Sequence, residues 1–235
     1  MRMTFRNVAS GVWLVSCVLV AGQPARAAAL TSEAASERVT AVASVLKYDA
    51  WPATSDLYVL PRIDEQLVSP LIVGLTGLRS CTAVVVASAT WPECRWSWTD
   101  TTPPRQGRTH WVELTMTLTS DAAAAQAYLL RSLTDNALPT EELMARYGAA
   151  EQPAGLGSVA LLVRRPGSAD ITVTFTRGNI FVRAQGHGRY AASTLPLAQA
   201  VDDALLNQRV ATLAEVRAEA ERFLNPQLSA TPSIP

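Results

Sequence analysis

The chain has 235 residues, 49% of them hydrophobic and 17% charged, with 20 basic and 20 acidic residues and no formal net charge. Lys47 is the single lysine and no basic run occurs, which excludes a nucleic-acid binder that works through a charged face. The length suits one domain with an ordinary core, and nothing in it repeats.

Arg2 and Arg6 precede an uncharged apolar run, Val8 to Gly22, and Ala25-Arg26-Ala27 follows. A basic start, a short apolar middle and an A-x-A ending predict a secretory signal peptide over residues 1–27. The run is too short to span a bilayer comfortably. Leu14 to Cys17, "LVSC", resembles a bacterial lipobox, so lipid anchoring at Cys17 is the alternative to simple secretion. The apolar residues that follow Cys17 argue against it. Removal of residues 1–27 takes away Arg2, Arg6 and Arg26 and no acid, leaving a net charge of −3.

Thr31 to Tyr48 reads as a helix, with Val39, Val42, Val45 and Leu46 on one face. Trp51-Pro52 marks a linker, and Leu57 to Leu60 a short strand. Pro70 breaks any helix over Ile63 to Val73. Cys81 to Ala87 is a continuous β-branched run, expected as a buried strand. Cys94, Trp96 and Trp98 alternate as another strand, and Thr101 to Gly107 is a loop. Trp111 to Leu118 alternates cleanly. Ser120 is placed to cap an alanine-rich helix, with Asp121 at its positive end. Thr140 begins a shorter helix that Gly148 closes.

Ser158 to Arg165, Ile171 to Arg177 and Ile180 to Gly186 form three strands. Gly178-Asn179 fits a two-residue type II′ turn, which sets Arg177 opposite Ile180 and Phe175 opposite Val182. Ile171, Val173, Phe175, Val182 and Ala184 then share a core face. Thr172, Thr174, Thr176, Phe181, Arg183 and Gln185 share the other, expected to be mostly wet. Pairing Arg165 with Ile171 adds Leu161 and Val163 to the core and sets Arg164 on the outer face. Pro196 starts a helix carrying Leu197, Val201 and Leu205. Thr212 to Glu215 is a capping box that opens a second helix to Leu224. Residues 225–235 read as a disordered tail. The expectation is an α+β fold, an antiparallel sheet with helices packed on one face. It fills a single domain over residues 28–224, in which 28–75 are a helical N-terminal segment.

After removal of the leader two cysteines remain, Cys81 and Cys94. In an oxidising compartment they are expected to form a structural disulfide. A metal or redox pair fits less well, because the spacing is not C-x-x-C and no histidine cluster accompanies it.

From Cys94 onward the order of short motifs resembles a broad group of bacterial secreted and lipoprotein domains of unknown function. They are "CRW" at Cys94 to Trp96, "VELTMTL", the alanine-rich helix, "GLGSVA" at Gly155 to Ala160, the Gly178-Asn179 hairpin and "LAQAVDDALL". That group usually has an acid after GLG, where this chain has Ser158. The resemblance covers about half the mature chain and implies an exported α+β domain, but no reaction.

No nucleophile elbow, zincin, P-loop or dinucleotide motif is present, so no catalytic residue is assigned. His110 begins a strand and His187 lies in a Gly-His-Gly loop; both read as surface histidines. Two histidines without an acid cluster argue against a metal, and no cofactor is expected. Trp91, Trp96 and Trp98 read as packing around the disulfide, while Trp111 alternates outward. The candidate ligand-binding residues are Arg164, Thr172, Thr174, Arg183, Gln185 and Trp111, with Arg164 and Arg183 bracketing a carboxylate or phosphate. The functional expectation is a secreted or periplasmic binding domain without catalytic activity, its partner an envelope ligand or protein. It is membrane-bound only if lipidated at Cys17. A hydrolase with a dispersed site and a partner-binding or inhibitor protein using the C-terminal helices are the alternatives.

Overall fold

Six antiparallel strands form the body of the fold: β2 (Leu75–Val86), β3 (Ala89–Asp100), β4 (Trp111–Leu118), β5 (Val159–Arg164), β6 (Ile171–Arg177) and β7 (Ile180–His187). Their spatial order is β2-β3-β4-β7-β6-β5. A short strand β1 (Leu57–Tyr58) pairs with β8 (Arg209–Val210) beside this sheet, and a one-turn helix α2 (Glu65–Val68) follows β1. The computed structural model describes residues 32–225, apart from 69, 73–74, 101–109, 136–137 and 166. The expected signal peptide, Cys17, the loop over 101–107 and the tail beyond residue 225 lie outside the described residues.

The sheet and its α+β class are as the strand patterns predict, but helices cover both faces. On the first face α5 (Thr194–Leu206) lies over β6 and β7, and α6 (Leu213–Leu224) over β2 and β3. Val201 and Leu205 are fully buried there in one cluster with Phe175 and Val182. Trp96 and Trp98 belong to the same cluster, as does Val216 of α6. On the second face stand α1 (Ser32–Val45), α3 (Ala122–Thr134) and α4 (Thr140–Gly148). A separate cluster joins Val42, Leu129, Leu133, Leu143 and Tyr147 to Leu161 and Phe181 of the sheet. The expectation of helices on one face fails because Phe181 and Leu161 put large apolar groups on the second. Apolar area of that kind needs a cover.

Two further expectations are corrected. Cys81 to Val86 lie in β2, an edge strand rather than a buried one, and Ala87 lies in the turn after it; Val85 is 64% exposed. Its β-branched run reports fit to a pleated surface, which an edge satisfies as well as a core. In β5, Arg164 rather than Arg165 pairs with Ile171. Arg165 instead donates its backbone N–H to Asp170. The one-residue slip exchanges the faces of every β5 side chain. Leu162 and Arg164 therefore share the first face with Val173 and Ile171, and Leu161 and Val163 share the second with Thr174 and Thr172.

Local signals place the remaining elements. Gly178 has φ +50° and Asn179 lies outside the left-handed region, as the type II′ turn requires. Thr212 and Glu215 form the complete capping box of α6. The cap of α3 is Asp121 rather than Ser120; its carboxylate accepts from Ala124 N at 2.8 Å, while Ser120 Oγ donates to Asp121. A carboxylate is the stronger acceptor for a helix N-terminus. Cys81 and Cys94 are directly opposed on β2 and β3 and are bonded.

Candidate functional site: a cleft at the end of the second face

The register of four strands aligns one row of side chains across the end of the second face. Trp111 of β4 pairs with His187 of β7. One step past the last ladder pair of β6 and β7, His187 meets Asp170. Asp170 in turn faces Arg165 at the end of β5. The row is thus Trp, His, Asp, Arg. The row behind it carries Glu113, Gln185, Thr172 and Val163.

Each member of the first row holds the next. The indole of Trp111 stacks on the imidazole of His187, with ring centres 6.0 Å apart and planes 11° apart. His187 Nδ1 is hydrogen-bonded to a carboxylate oxygen of Asp170. Arg165 Nη1 lies 3.8 Å from the other oxygen. Hydrogen bonds, from His187 first and Ser168 second, hold the Asp170 carboxyl below the usual carboxylate range, and the Arg165 charge adds to this. The carboxylate fixes the tilt of the imidazole, and the imidazole supports one side of the indole.

The helical layer on this face stops short of the row, which leaves an open cleft of about 480 Å³. Trp111, Asp170, Thr172 and Gln185 line it from the sheet, with Val163 and Ile171 beside them. Leu138, between α3 and α4, and Arg146 of α4 line it from above. Arg146 has no carboxylate within ion-pair distance among the described residues. Gln185 Nε2 donates to Thr172 Oγ1 at 3.4 Å.

Three of the six expected binding residues, Trp111, Thr172 and Gln185, meet in this cleft. The other three do not. Arg164 is on the opposite face and pairs with Glu151 at 3.0 Å. Thr174 is 2% exposed, beneath the helices. Arg183 is half-buried, with its guanidinium 5.7 Å from the centre of the Phe181 ring. Arg164 and Arg183 therefore form no platform. The sequence reading missed Asp170, His187, Arg146 and Arg165. The turn that sets the β6–β7 register already carries the signal for two of them, since counting outward from Gly178-Asn179 brings His187 opposite Asp170. Arg146 comes from another element and leaves no such signal.

The motifs behind the family resemblance serve the fold instead. Gly157 has φ +60°, and a Cβ there would come within 2.6 Å of Thr176 O. Its N–H donates to Asp202 Oδ2 at 2.9 Å. Asp202 also takes both arms of the Arg177 guanidinium, so one buried carboxylate joins the GLG turn, β6 and α5. The hollow beside it, about 270 Å³, is lined by Gly155, Gln199, Asp202 and Asp203.

No group of three or more metal-ligating side chains occurs among the described residues. No helix among them is long and apolar enough to cross a membrane. No protein-family model, no curated protein and no solved structure matches the chain.

Proposed function

We propose that this chain is an exported binding domain of the cell envelope, without catalytic activity, and that the cleft at Trp111 holds its ligand. One observation carries the reading. A preformed opening of a size suited to small molecules combines an aromatic surface, a guanidinium that meets no carboxylate among the described residues, and amide and hydroxyl groups. The basic-apolar-AxA leader and the Cys81–Cys94 bond support an oxidising, extracytoplasmic compartment. Membrane attachment then depends on lipidation at Cys17.

The hydrolase alternative draws support from the Asp170–His187 pair, which has the orienting geometry of an acid–base dyad. A Ser–His–Asp triad also needs a nucleophile bonded to the imidazole, and among the described residues no serine, threonine or cysteine hydrogen-bonds to His187. The inhibitor alternative required an exposed apolar stripe on residues 212–224. Val216 and Ala220 are buried there, and Leu213 and Phe223 pack against the first-face core.

Equilibrium dialysis of the mature protein against a small-molecule extract of the source envelope tests the proposal. Native mass spectrometry should detect a bound compound with the wild type and much less with Trp111→Ala or Arg146→Ala. Equal retention by all three proteins would remove the cleft as the binding site.

A further inference from the structure

The lining of the cleft narrows what it takes. Its charges do not balance. Asp170 offsets Arg165, and Glu113, in the row behind, offsets Arg95 at 3.6 Å. Among the described residues Arg146 is the lining cation left over, its guanidinium facing the Tyr147 hydroxyl but no carboxylate. Its planar fork matches the two oxygens of a carboxylate. A phosphate dianion would call for a second cation, and Arg165, the other one in the lining, already faces Asp170. The rest of the lining is apolar or flat. Leu138 and Val163 line the cleft together with the half-buried Trp111, whose plane is fixed by the stacked His187.

Resting on the reading of the cleft as a binding site, we infer that its ligand is an aromatic monocarboxylate. The carboxylate meets Arg146 and the ring lies in the apolar part of the cleft against Trp111. Asp170 is a positioning residue. Through His187 it keeps the indole in the plane that the ring needs, and it does not touch the ligand's carboxylate, which it would repel.

The test uses three probes of one shape: naphthalene-2-carboxylate, naphthalene-2-carboxamide and 2-naphthyl phosphate. Each is titrated into the mature full chain. The readout is the indole N–H resonance of Trp111, identified by its loss in Trp111→Phe. The carboxylate should shift it at a concentration about tenfold lower than the amide or the phosphate. Arg146→Gln should erase the difference between carboxylate and amide, and Arg146→Lys should restore only part of it, because a point charge lacks the fork. Circular dichroism of both variants should match the wild type, since Arg146 is not a core residue. Asp170→Asn should weaken both the carboxylate and the amide, which a direct electrostatic role would not do.

Equal binding of carboxylate and amide overturns the inference, and so does tighter binding of the phosphate. If no probe shifts Trp111 while the dialysis above still shows cleft-dependent retention, the ligand class is wrong and the binding reading stands. If both fail, both fall.

Discussion

The carboxamide of Asn179 grips both backbone groups of Tyr58. Asn179 Oδ1 accepts from Tyr58 N at 2.7 Å, and Nδ2 donates to Tyr58 O at 3.1 Å. Nδ2 also donates to Thr119 O at 3.0 Å. A hairpin turn between β6 and β7 thereby fastens the N-terminal strand β1, 121 residues away in sequence. Gly178 is required for the same contact, because a Cβ there would lie 2.3 Å from Asp56 O. Asn179→Ala should cost about 3 kcal/mol or more, since three buried backbone groups lose their partner. Urea unfolding monitored by tryptophan fluorescence measures it. A change under about 0.5 kcal/mol would mean that β1 is held by other contacts.

Asp202 is 3% exposed and carries the Arg177 ion pair together with the N–H of Gly157. Asp202→Asn should destabilise by about 3–5 kcal/mol, because it leaves a largely buried guanidinium uncompensated. The double variant Asp202→Asn, Arg177→Met should recover part of that loss. Additive losses in a double-mutant cycle would show that the two residues act independently.

The β2–β3 hairpin turns through Ala87 and Ser88, both with positive φ, 48° and 65°. This is the backbone of a type I′ turn built from residues that disfavour it. Replacing the pair with Asn-Gly should raise stability by about 1 kcal/mol without changing the fold. Thermal unfolding of the two forms, compared at one pH, checks the direction.

Tyr128 donates to Glu93 Oε2 at 2.7 Å, and burial, reinforced by the Glu93 hydrogen bond and charge, pushes its hydroxyl up to about 12. The unfolded value is near 10, so the proton is held more tightly in the folded state. The contribution to stability is therefore full below pH 10 and is lost as pH rises toward 12. Tyr128→Phe should flatten the fall in stability over that window. An unchanged slope between pH 10 and 12 would show that Tyr128 does not govern it.

Alkylation of the mature protein under non-reducing conditions should find no thiol at Cys81 or Cys94. Reduction should cost about 3 kcal/mol, the closure entropy of a loop of this length. The bond clamps the outermost strand, so hydrogen exchange should accelerate first along β2 once it is cut. Uniform acceleration across the sheet would contradict that local role.

Residues 171–187 were legible because their structure is local. A two-residue turn fixes which residues oppose, and alternation then assigns faces; the pairing of Arg177 with Ile180 and of Phe175 with Val182 follows from nothing else. The capping box at Thr212 and the span of α4 are local in the same sense. The sequence by itself thus determined β4, β6 and β7, the span of α4, the two cysteines as a pair and the core role of Val201 and Leu205, but not β8 or the full length of β2 and β3. Tertiary structure alone decided two things. One was the register of β5, since the connection over residues 165–170 admits two alignments that differ by one residue, and packing of Leu161 against Leu129 and Phe181 selects between them. That choice sends Arg164 to the face opposite Arg183. The other was the cleft, which forms where the helices of the second face stop short of the sheet's end. Arg146 reaches it from a helix, while Trp111 and Asp170 reach it from the sheet. Side chains so far apart in the chain meet only through packing, and packing leaves no periodicity to read.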